Sequence, residues 1–143
     1  MPRKPKEISS PKYKARIGYE GEYYLLKKFL DIGKAGFYAI RTPGSGSGKM
    51  AKPDLIAVDN GNLLAIEVKS TRKDYIMLNK EQIKRIKEFC EKFIVKCPHC
   101  GKEFSPKPVL AVRFLNREWK FLEIPVEIEN SLIIKTDKKI KKT

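Results

Sequence analysis

The sequence predicts an α/β domain in which helices flank a mixed central β-sheet, and three local signals support this prediction. An apolar stripe at helical spacing occupies residues 16–32. Asn60 and Gly61 lie between two apolar segments and favour a type I′ hairpin turn, in which both central residues have positive φ. Asn79 suits the N-cap of a second helix, and Gln82 three positions later completes a capping box.

The first predicted helix carries an acidic residue on its apolar side. Glu22 belongs to a stripe with spacings of three and four residues, whereas Glu20 lies on the opposite, solvent side. An ionised carboxylate on a buried stripe costs free energy unless it is paired or binds a cation. Glu22 is therefore a candidate functional residue. The apolar members of the stripe are Tyr19, Leu26 and Phe29, with Leu25 and Leu30 beside them.

The remaining segments predict three strands, the second helix and two further strands. Residues 36–42 form the first strand, and a loop rich in Gly and Ser follows at 43–52. The hairpin supplies the next two strands, and the last two cover 108–115 and 119–124. The core stripe of the second helix consists of Ile83, Ile86, Cys90 and Phe93.

The chain is strongly basic, with 31 Lys and Arg residues against 17 Asp and Glu residues and a formal charge of +14. A surplus of this size on a small domain is typical of nucleic-acid-binding proteins. No segment is apolar enough to span a membrane, and the N-terminus lacks the apolar region of a signal peptide. We therefore expect a cytoplasmic protein that is not secreted and does not bind membranes.

Composition divides the chain into one folded domain and two basic ends. Residues 1–15 hold three prolines and five basic residues with few core-forming side chains. We predict a flexible basic arm at 1–15, a single domain at 16–134 and a basic tail at 135–143.

The predicted hairpin brings three charged residues together. With Asn60 and Gly61 in the turn, continuing the antiparallel ladder places Asp54 opposite Glu67. Strand alternation puts Lys69 on the same face, and the opposite face is apolar. Like charges directly opposite each other destabilise a sheet, so this arrangement needs a compensating cation.

A hard divalent cation suits the carboxylates of this hairpin. Mg²⁺, with Mn²⁺ as a substitute, is the predicted cofactor, held by Asp54 and Glu67 with Glu22 completing the site. A water acidified by the metal can attack phosphorus, and Lys69 can orient that water or offset charge on the phosphate. The alternative is a solvated salt-bridge cluster at a strand edge, and a register slip of one residue would remove the pairing.

These residues resemble the motif of the PD-(D/E)XK nuclease superfamily. Pro53-Asp54 and Glu67-Val68-Lys69 match it, and Gln82 resembles a glutamine on the helix after the catalytic strand. Residues 16–125 are similar in order to the archaeal Holliday junction resolvases, which also occur in viruses of thermophiles. The segments that carry this resemblance are GYEGE, AIRTPGSGSGK, PDLIA, IEVKST, EFCEKF and PVLAVRFLNREWKFLEI.

The resemblance implies a restriction-endonuclease-like nuclease fold and a homodimeric, Mg²⁺-dependent endonuclease. Its substrate would be the four-way DNA junction, cut by paired symmetric nicks in an archaeal cell or in the host of a virus. Metal binding is implied for Glu22, Asp54 and Glu67, and the role of catalytic lysine for Lys69. Trp119, Phe121, Phe114 and Leu115 are either core residues or neighbours of a dimer interface.

The loop PGSGSGKMAK is a predicted DNA contact. It lacks the spacing and the Gly-Lys-Ser/Thr ending of a Walker A motif, so we expect no nucleotide cofactor. Its amides and polar side chains suit a DNA backbone, and the alternative is a flexible turn. Arg41 and either Ser45 or Ser47 would contact the scissile strand by resemblance, and Phe89 would lie at the dimer and junction surface. The full predicted DNA-contacting set is Arg41, Ser45, Ser47, Lys49, Lys52, Arg72 and Phe89.

The chain departs from the resolvase pattern at two places. Tyr23 follows the helix carboxylate where the family often has a basic residue. Residues 94–107 form an insertion loop that contains CPHCG, which resembles half of a zinc ribbon. Cys97 and Cys100 would need two more ligands for tetrahedral zinc, and a site shared by two chains would supply them. A surface turn or a redox-labile pair is the alternative.

Two other functions remain open at this stage. A restriction-like or repair nuclease would use the same acids and lysine on duplex, flapped or mismatched DNA. A non-catalytic junction-binding protein would use the basic surface alone, but acids that face a phosphate have little use in pure binding.

Overall fold

The computed structural model describes residues 11–43, 50–125, 127–128 and 130–138. The helices and strands among these residues are, in chain order, α1 (Pro11–Ile32), β1 (Phe37–Arg41), β2 (Leu55–Asp59), β3 (Asn62–Thr71), β4 (Tyr75–Leu78), α2 (Lys80–Lys92), β5 (Val95–Lys96), β6 (Glu103–Phe104), β7 (Lys107–Phe114), β8 (Glu118–Glu123) and β9 (Leu132–Lys135). None of the described helices is long and apolar enough to cross a membrane.

A five-stranded mixed sheet in the order β1-β2-β3-β7-β8 forms the centre of the fold. The first three strands are antiparallel, β7 runs parallel to β3, and β8 returns antiparallel to β7. A parallel pair needs a long connection, and here the chain between β3 and β7 contains α2. The predicted fold class is confirmed.

The hairpin between β2 and β3 has the predicted turn and register. Asn60 and Gly61 have φ angles of 50° and 81°. Asp59 pairs with Asn62, and the ladder ends where Leu55 pairs with Ile66. Asp54 therefore lies one residue before β2 and is not part of the backbone ladder. The predicted contact between Asp54 and Glu67 is made by their side chains.

Two apolar clusters hold the helices on the sheet. The cluster beneath α1 contains Leu25, Ala39, Leu55, Ala57, Ile66, Val68 and Ala111. The cluster beneath α2 contains Ala65, Leu78, Ile83, Ile86, Cys90, Leu110, Val112, Phe114, Ile124 and Ile134. Neighbouring residues of β3 and β7 thus contribute to opposite faces, as strand alternation requires.

Helix α2 has the predicted start. The Asn79 side chain accepts a hydrogen bond from the Gln82 amide at 2.9 Å, and the Gln82 side chain accepts one from the Asn79 amide at 3.1 Å. The prediction that Phe93 belongs to the core stripe is wrong, since this side chain is 41% exposed. The helix ends at Lys92, so Phe93 leaves the helical repeat and its ring stacks on Phe89.

Helix α1 differs from the predicted helix in its first residue and in the side chains that it buries. It begins at Pro11 rather than near residue 16, which brings the end of the predicted arm into the helix and buries Tyr13. Tyr19 and Leu30 are 53% and 42% exposed. The helix packs on the sheet through the face that carries Gly21, Glu22 and Leu25, so the two outer positions of the predicted stripe lie beside the contact.

Four short strands were not predicted. β4 pairs with β9 in a second sheet, and β9 reaches Lys135 at the start of the predicted tail. β5 and β6 form a hairpin within the predicted insertion at 94–107. Strands of two to four residues are too short to show an alternating pattern in the sequence. Whether they form depends on the segments with which they pair.

Candidate active site

Three carboxyl groups meet at the edge between α1 and the β2–β3 hairpin. The Asp54 carboxyl lies within hydrogen-bonding reach of both Glu22 and Glu67. Its Oδ2 also accepts a hydrogen bond from the Val68 backbone amide at 2.8 Å. The structure therefore brings together the three acids that the sequence indicated, with Asp54 at the centre.

The backbone at Asp54 is fixed by a residue that the sequence analysis missed. Thr42 follows β1, is 8% exposed, and donates its hydroxyl hydrogen to the Pro53 carbonyl oxygen. Its backbone amide donates to the Asp54 carbonyl oxygen at 3.0 Å. These bonds extend the β1–β2 contact past the end of the strand and hold the segment that presents the Asp54 side chain.

Burial and mutual repulsion raise the pKa of two of these acids. Burial first and the charge of Asp54 second raise the pKa of Glu67 from 4.5 to about 8, against an opposing effect of Lys69. The same two causes raise the pKa of Glu22 from 4.5 to about 7, opposed by Arg41. Carboxyl groups this close do not all ionise at neutral pH unless a cation compensates their charge.

The donor atoms of this cluster fit a hard divalent cation. All three residues offer carboxylate oxygens, which suit Mg²⁺ or Mn²⁺ better than a soft metal. No three Asp, Glu, His or Cys side chains within the described ranges already close around a metal position. One Glu22 oxygen instead lies 3.2 Å from Arg41 Nη2, and Asp54 interacts with both glutamates. A coordinated ion would therefore replace contacts among the acids by contacts to itself.

Arg41 connects this acidic cluster to the surface. Its guanidinium lies against Glu22 and over the Tyr19 ring, 4.4 Å from the ring centroid. The side chain stays 36% exposed, so a phosphate can approach it. Tyr19 thus leaves the core stripe and orients a basic residue beside the acids.

Gly21 permits the close approach of α1 to β3. A Cβ at Gly21 would lie 2.5 Å from Ser70 Oγ. Arg113, 8% exposed on β7, donates to Ser70 Oγ at 3.1 Å and to the Ile17 carbonyl oxygen at 3.0 Å. This contact holds α1 against the sheet one residue before Glu22. The sequence signal was a glycine inside an otherwise strong helical pattern.

The predicted DNA-contacting residues have different surroundings. Arg72 is exposed, and its Nε donates to the Tyr13 hydroxyl at 2.9 Å. Lys52 donates to the Pro43 carbonyl oxygen, and Phe89 is half-buried with its ring 4.9 Å from that of Phe93. Three predicted contacts, Ser45, Ser47 and Lys49, lie outside the described residues.

A five-stranded mixed sheet with a helix on each face, carrying Asp, Glu and Lys around one hairpin, is the architecture of the restriction-endonuclease-like fold class. The family model described as archaeal Holliday junction resolvase (hjc) matches residues 13–143. The chain belongs to this family.

Individual relatives agree with the family assignment. A crossover junction endodeoxyribonuclease of Sulfolobus islandicus rod-shaped virus 1 is 47% identical over 77 residues, which cover 54% of this chain and 64% of that protein. The enzyme Hje of Saccharolobus islandicus is 32% identical over 106 residues, which cover 69% of this chain and 72% of Hje.

A solved structure has the same fold. The Holliday junction resolvase Hjc of Archaeoglobus fulgidus matches with a TM-score of 0.59 and 27% identity, covering 80% of this chain and 83% of Hjc. This chain matches less than two thirds of the length of the viral relative.

Proposed function

We propose that this protein is a homodimeric, Mg²⁺-dependent endonuclease that resolves four-way DNA junctions by paired symmetric nicks. The observation that carries the proposal is the position of Asp54, which contacts both Glu22 and Glu67 beside Lys69 in a member of the Holliday junction resolvase family. The formal charge of +14 supports a nucleic-acid substrate.

The acidic cluster would bind the metal cofactor. Glu22, Asp54 and Glu67 would hold Mg²⁺, which supplies Lewis acidity toward water and phosphate oxygen when it is bound. Burial raises the pKa of both glutamates, so metal binding would release protons from them at neutral pH. The Val68 amide keeps the Asp54 carboxylate in place throughout, because it binds the oxygen at 2.8 Å.

Two cations of the chain would act on the phosphate. Lys69 lies near enough to Glu67 to oppose the rise of its pKa, so its side chain would lie beside the cluster and could offset charge that develops on the phosphate. Arg41, already paired with Glu22, has exposed guanidinium surface for the scissile strand. These contacts would position the phosphodiester without reading its bases.

A dimer would place two such sites on one junction. Phe114 is a core residue at 1% exposure, whereas Phe121 stacks on Trp119 and remains 55% exposed, which supports a partner surface at Phe121. A two-fold axis relates equivalent sites and would match the pairwise symmetry of a four-way junction. Recognition would then depend on the positions of phosphates, and affinity would fall steeply as salt rises.

The decisive comparison uses an immobile four-way junction, a flapped duplex and a linear duplex of the same sequence, each with Mg²⁺. We expect paired nicks at symmetric positions in the junction and no cleavage of the linear duplex. Equal cleavage of all three substrates would identify a general nuclease. Tight junction binding without cleavage under any divalent metal would identify a junction-binding protein.

A further inference from the structure

The β5–β6 hairpin carries two cysteines that the nuclease site does not use. Cys97 and Cys100 lie in the turn between Val95–Lys96 and Glu103–Phe104, which form a two-stranded sheet of their own. Neither thiol forms a disulfide, and Cys100 is exposed.

Backbone hydrogen bonds close the turn that carries both cysteines. The Cys97 amide donates to the Lys102 carbonyl oxygen at 2.8 Å, and the Gly101 amide donates to the Cys97 carbonyl oxygen at 2.9 Å. Gly101 closes the turn with a φ of 74°, which other residues rarely adopt. The chain thus folds back tightly around the two cysteines.

The sulfur of Cys97 already has the backbone donors that a metal thiolate uses. The backbone amides of His99 and Cys100 face this sulfur, and the Cys100 thiol lies beside it. Two cysteines separated by two residues are the usual half-site for tetrahedral zinc. Amide donors to the sulfur orient such ligands and stabilise their negative charge.

The described part of the chain supplies only half of a four-ligand zinc site here. Cys90 is buried in the core beneath α2, at 7% exposure. No third Cys, His, Asp or Glu joins the pair among the described residues. His99 lies between the two cysteines, and its backbone faces the Cys97 sulfur. Within the described residues the pair is therefore two ligands short of tetrahedral coordination, and another molecule can supply them.

The surroundings of this cysteine pair favour a second copy of this chain as that molecule. Four apolar side chains in the hairpin and just before it are 41–47% exposed, namely Phe93, Ile94, Val95 and Phe104. A symmetric contact would cover this patch and supply two further cysteines at once. Zinc with four thiolates has a net charge of −2, which offsets the repulsion between the Lys96 and Lys102 side chains of two hairpins.

We propose that Cys97 and Cys100 of two copies of this chain together bind one Zn²⁺, so that the ion joins two β5–β6 hairpins across a two-fold axis. This zinc site goes beyond the proposed nuclease function and does not depend on it. Its ligands are sulfurs, whereas the acidic cluster offers only oxygens.

The test is metal loading of the full chain with reduced cysteines. The thiolate charge-transfer and visible bands of a tetrahedral Co²⁺ sulfur site should appear and should saturate at one ion for every two chains in the variant D54N, which lacks an intact acidic cluster. X-ray absorption of the Zn²⁺ form should detect four sulfurs at about 2.3 Å. The variant C97S/C100S should lose all of these signals, whereas C90A and H99A should keep them.

Further outcomes decide against the proposal. Saturation of the thiolate bands at one ion per chain, or two sulfurs with nitrogen or oxygen ligands, would overturn the shared site. Metal-free protein with two reactive thiols, or a disulfide between Cys97 and Cys100 that excludes metal, would overturn zinc binding altogether. The variant D54N controls for ions at the acidic cluster and should keep the sulfur spectrum. Circular dichroism of C97S/C100S establishes that a lost signal does not come from an unfolded chain.

Discussion

Gly21 offers the sharpest test of how the fold positions the acidic cluster. A Cβ at this position would meet Ser70 Oγ at 2.5 Å and Val68 Cγ1 at 3.5 Å. The serine hydroxyl has little freedom to move away because Arg113 donates to it at 3.1 Å. In Gly21→Ala we therefore expect α1 to shift away from β3 and to carry Glu22 with it.

Two opposing effects determine the stability of Gly21→Ala. Replacing a glycine in a helix by alanine favours folding by about 1 kcal/mol. Overpacking a tight contact costs about 1–3 kcal/mol, so the net change should lie between neutral and about 2 kcal/mol destabilising. The catalytic effect should be larger, since misplacing a reacting group by 1 Å can reduce the rate about 100-fold.

Gly18→Ala is the matched control. Gly18 lies on the same helix, and a Cβ there would meet nothing within 4 Å. This variant should gain up to about 1 kcal/mol of stability and cleave junctions at the wild-type rate. Chemical denaturation measures the stability of each variant, and single-turnover cleavage of a four-way junction measures its rate.

A second substitution separates the clash from other effects of the new methyl group. The double variant Gly21→Ala/Ser70→Ala removes the closest contact and should recover much of the lost cleavage. The reasoning is refuted if Gly21→Ala cleaves at the wild-type rate and is stabilised as much as Gly18→Ala. In that case α1 would not depend on close packing at this point.

Three further predictions follow from the same structure. Asn79→Ala should lower the free energy of unfolding by about 1 kcal/mol in chemical denaturation, because it removes the side-chain oxygen that accepts the Gln82 amide, one half of the α2 capping box; an unchanged midpoint would contradict this. In EDTA, the free energy of unfolding should fall as pH rises from about 5 to 8. Glu22 and Glu67, with pKa values of about 7 and about 8, hold protons in the folded chain that the unfolded chain has already released. Glu67→Gln should flatten this profile, and a slope of opposite sign would refute the raised pKa values. Lys69→Met should reduce single-turnover cleavage about 100- to 1,000-fold while changing junction affinity little, if its ammonium offsets charge on the phosphate; an affinity loss as large as the rate loss would assign it to binding alone.

Local sequence signals predicted the hairpin and the second helix well. Asn60 and Gly61 adopt positive φ, and the register that follows from them is the observed one. Asn79 and Gln82 form both bonds of the capping box. These features depend on neighbouring residues, so a single sequence contains the information that specifies them.

The residues that hold the acidic cluster in place form contacts between segments that are distant in the sequence. Thr42 and Arg113 reach their partners only after the sheet has formed, and nothing in their local sequence marks them. The spacing of Tyr19 fits the predicted apolar stripe. Helix α1 nevertheless packs on the sheet through the face that carries Gly21, so the Tyr19 side chain stays exposed. Sequence thus located the three acids, and tertiary packing determined what holds them.

The central claim is that the Asp54 cluster performs cleavage, and the comparison of Asp54→Asn with Asp59→Asn tests it most directly. Asp59 lies in the same hairpin and is exposed, so it controls for loss of one negative charge. The asparagine oxygen at position 54 can still accept the Val68 hydrogen bond, so the fold should persist. We expect Asp54→Asn to bind the four-way junction but not to cleave it with Mg²⁺, and Asp59→Asn to cleave it normally. Cleavage by Asp54→Asn at the wild-type rate would contradict the account.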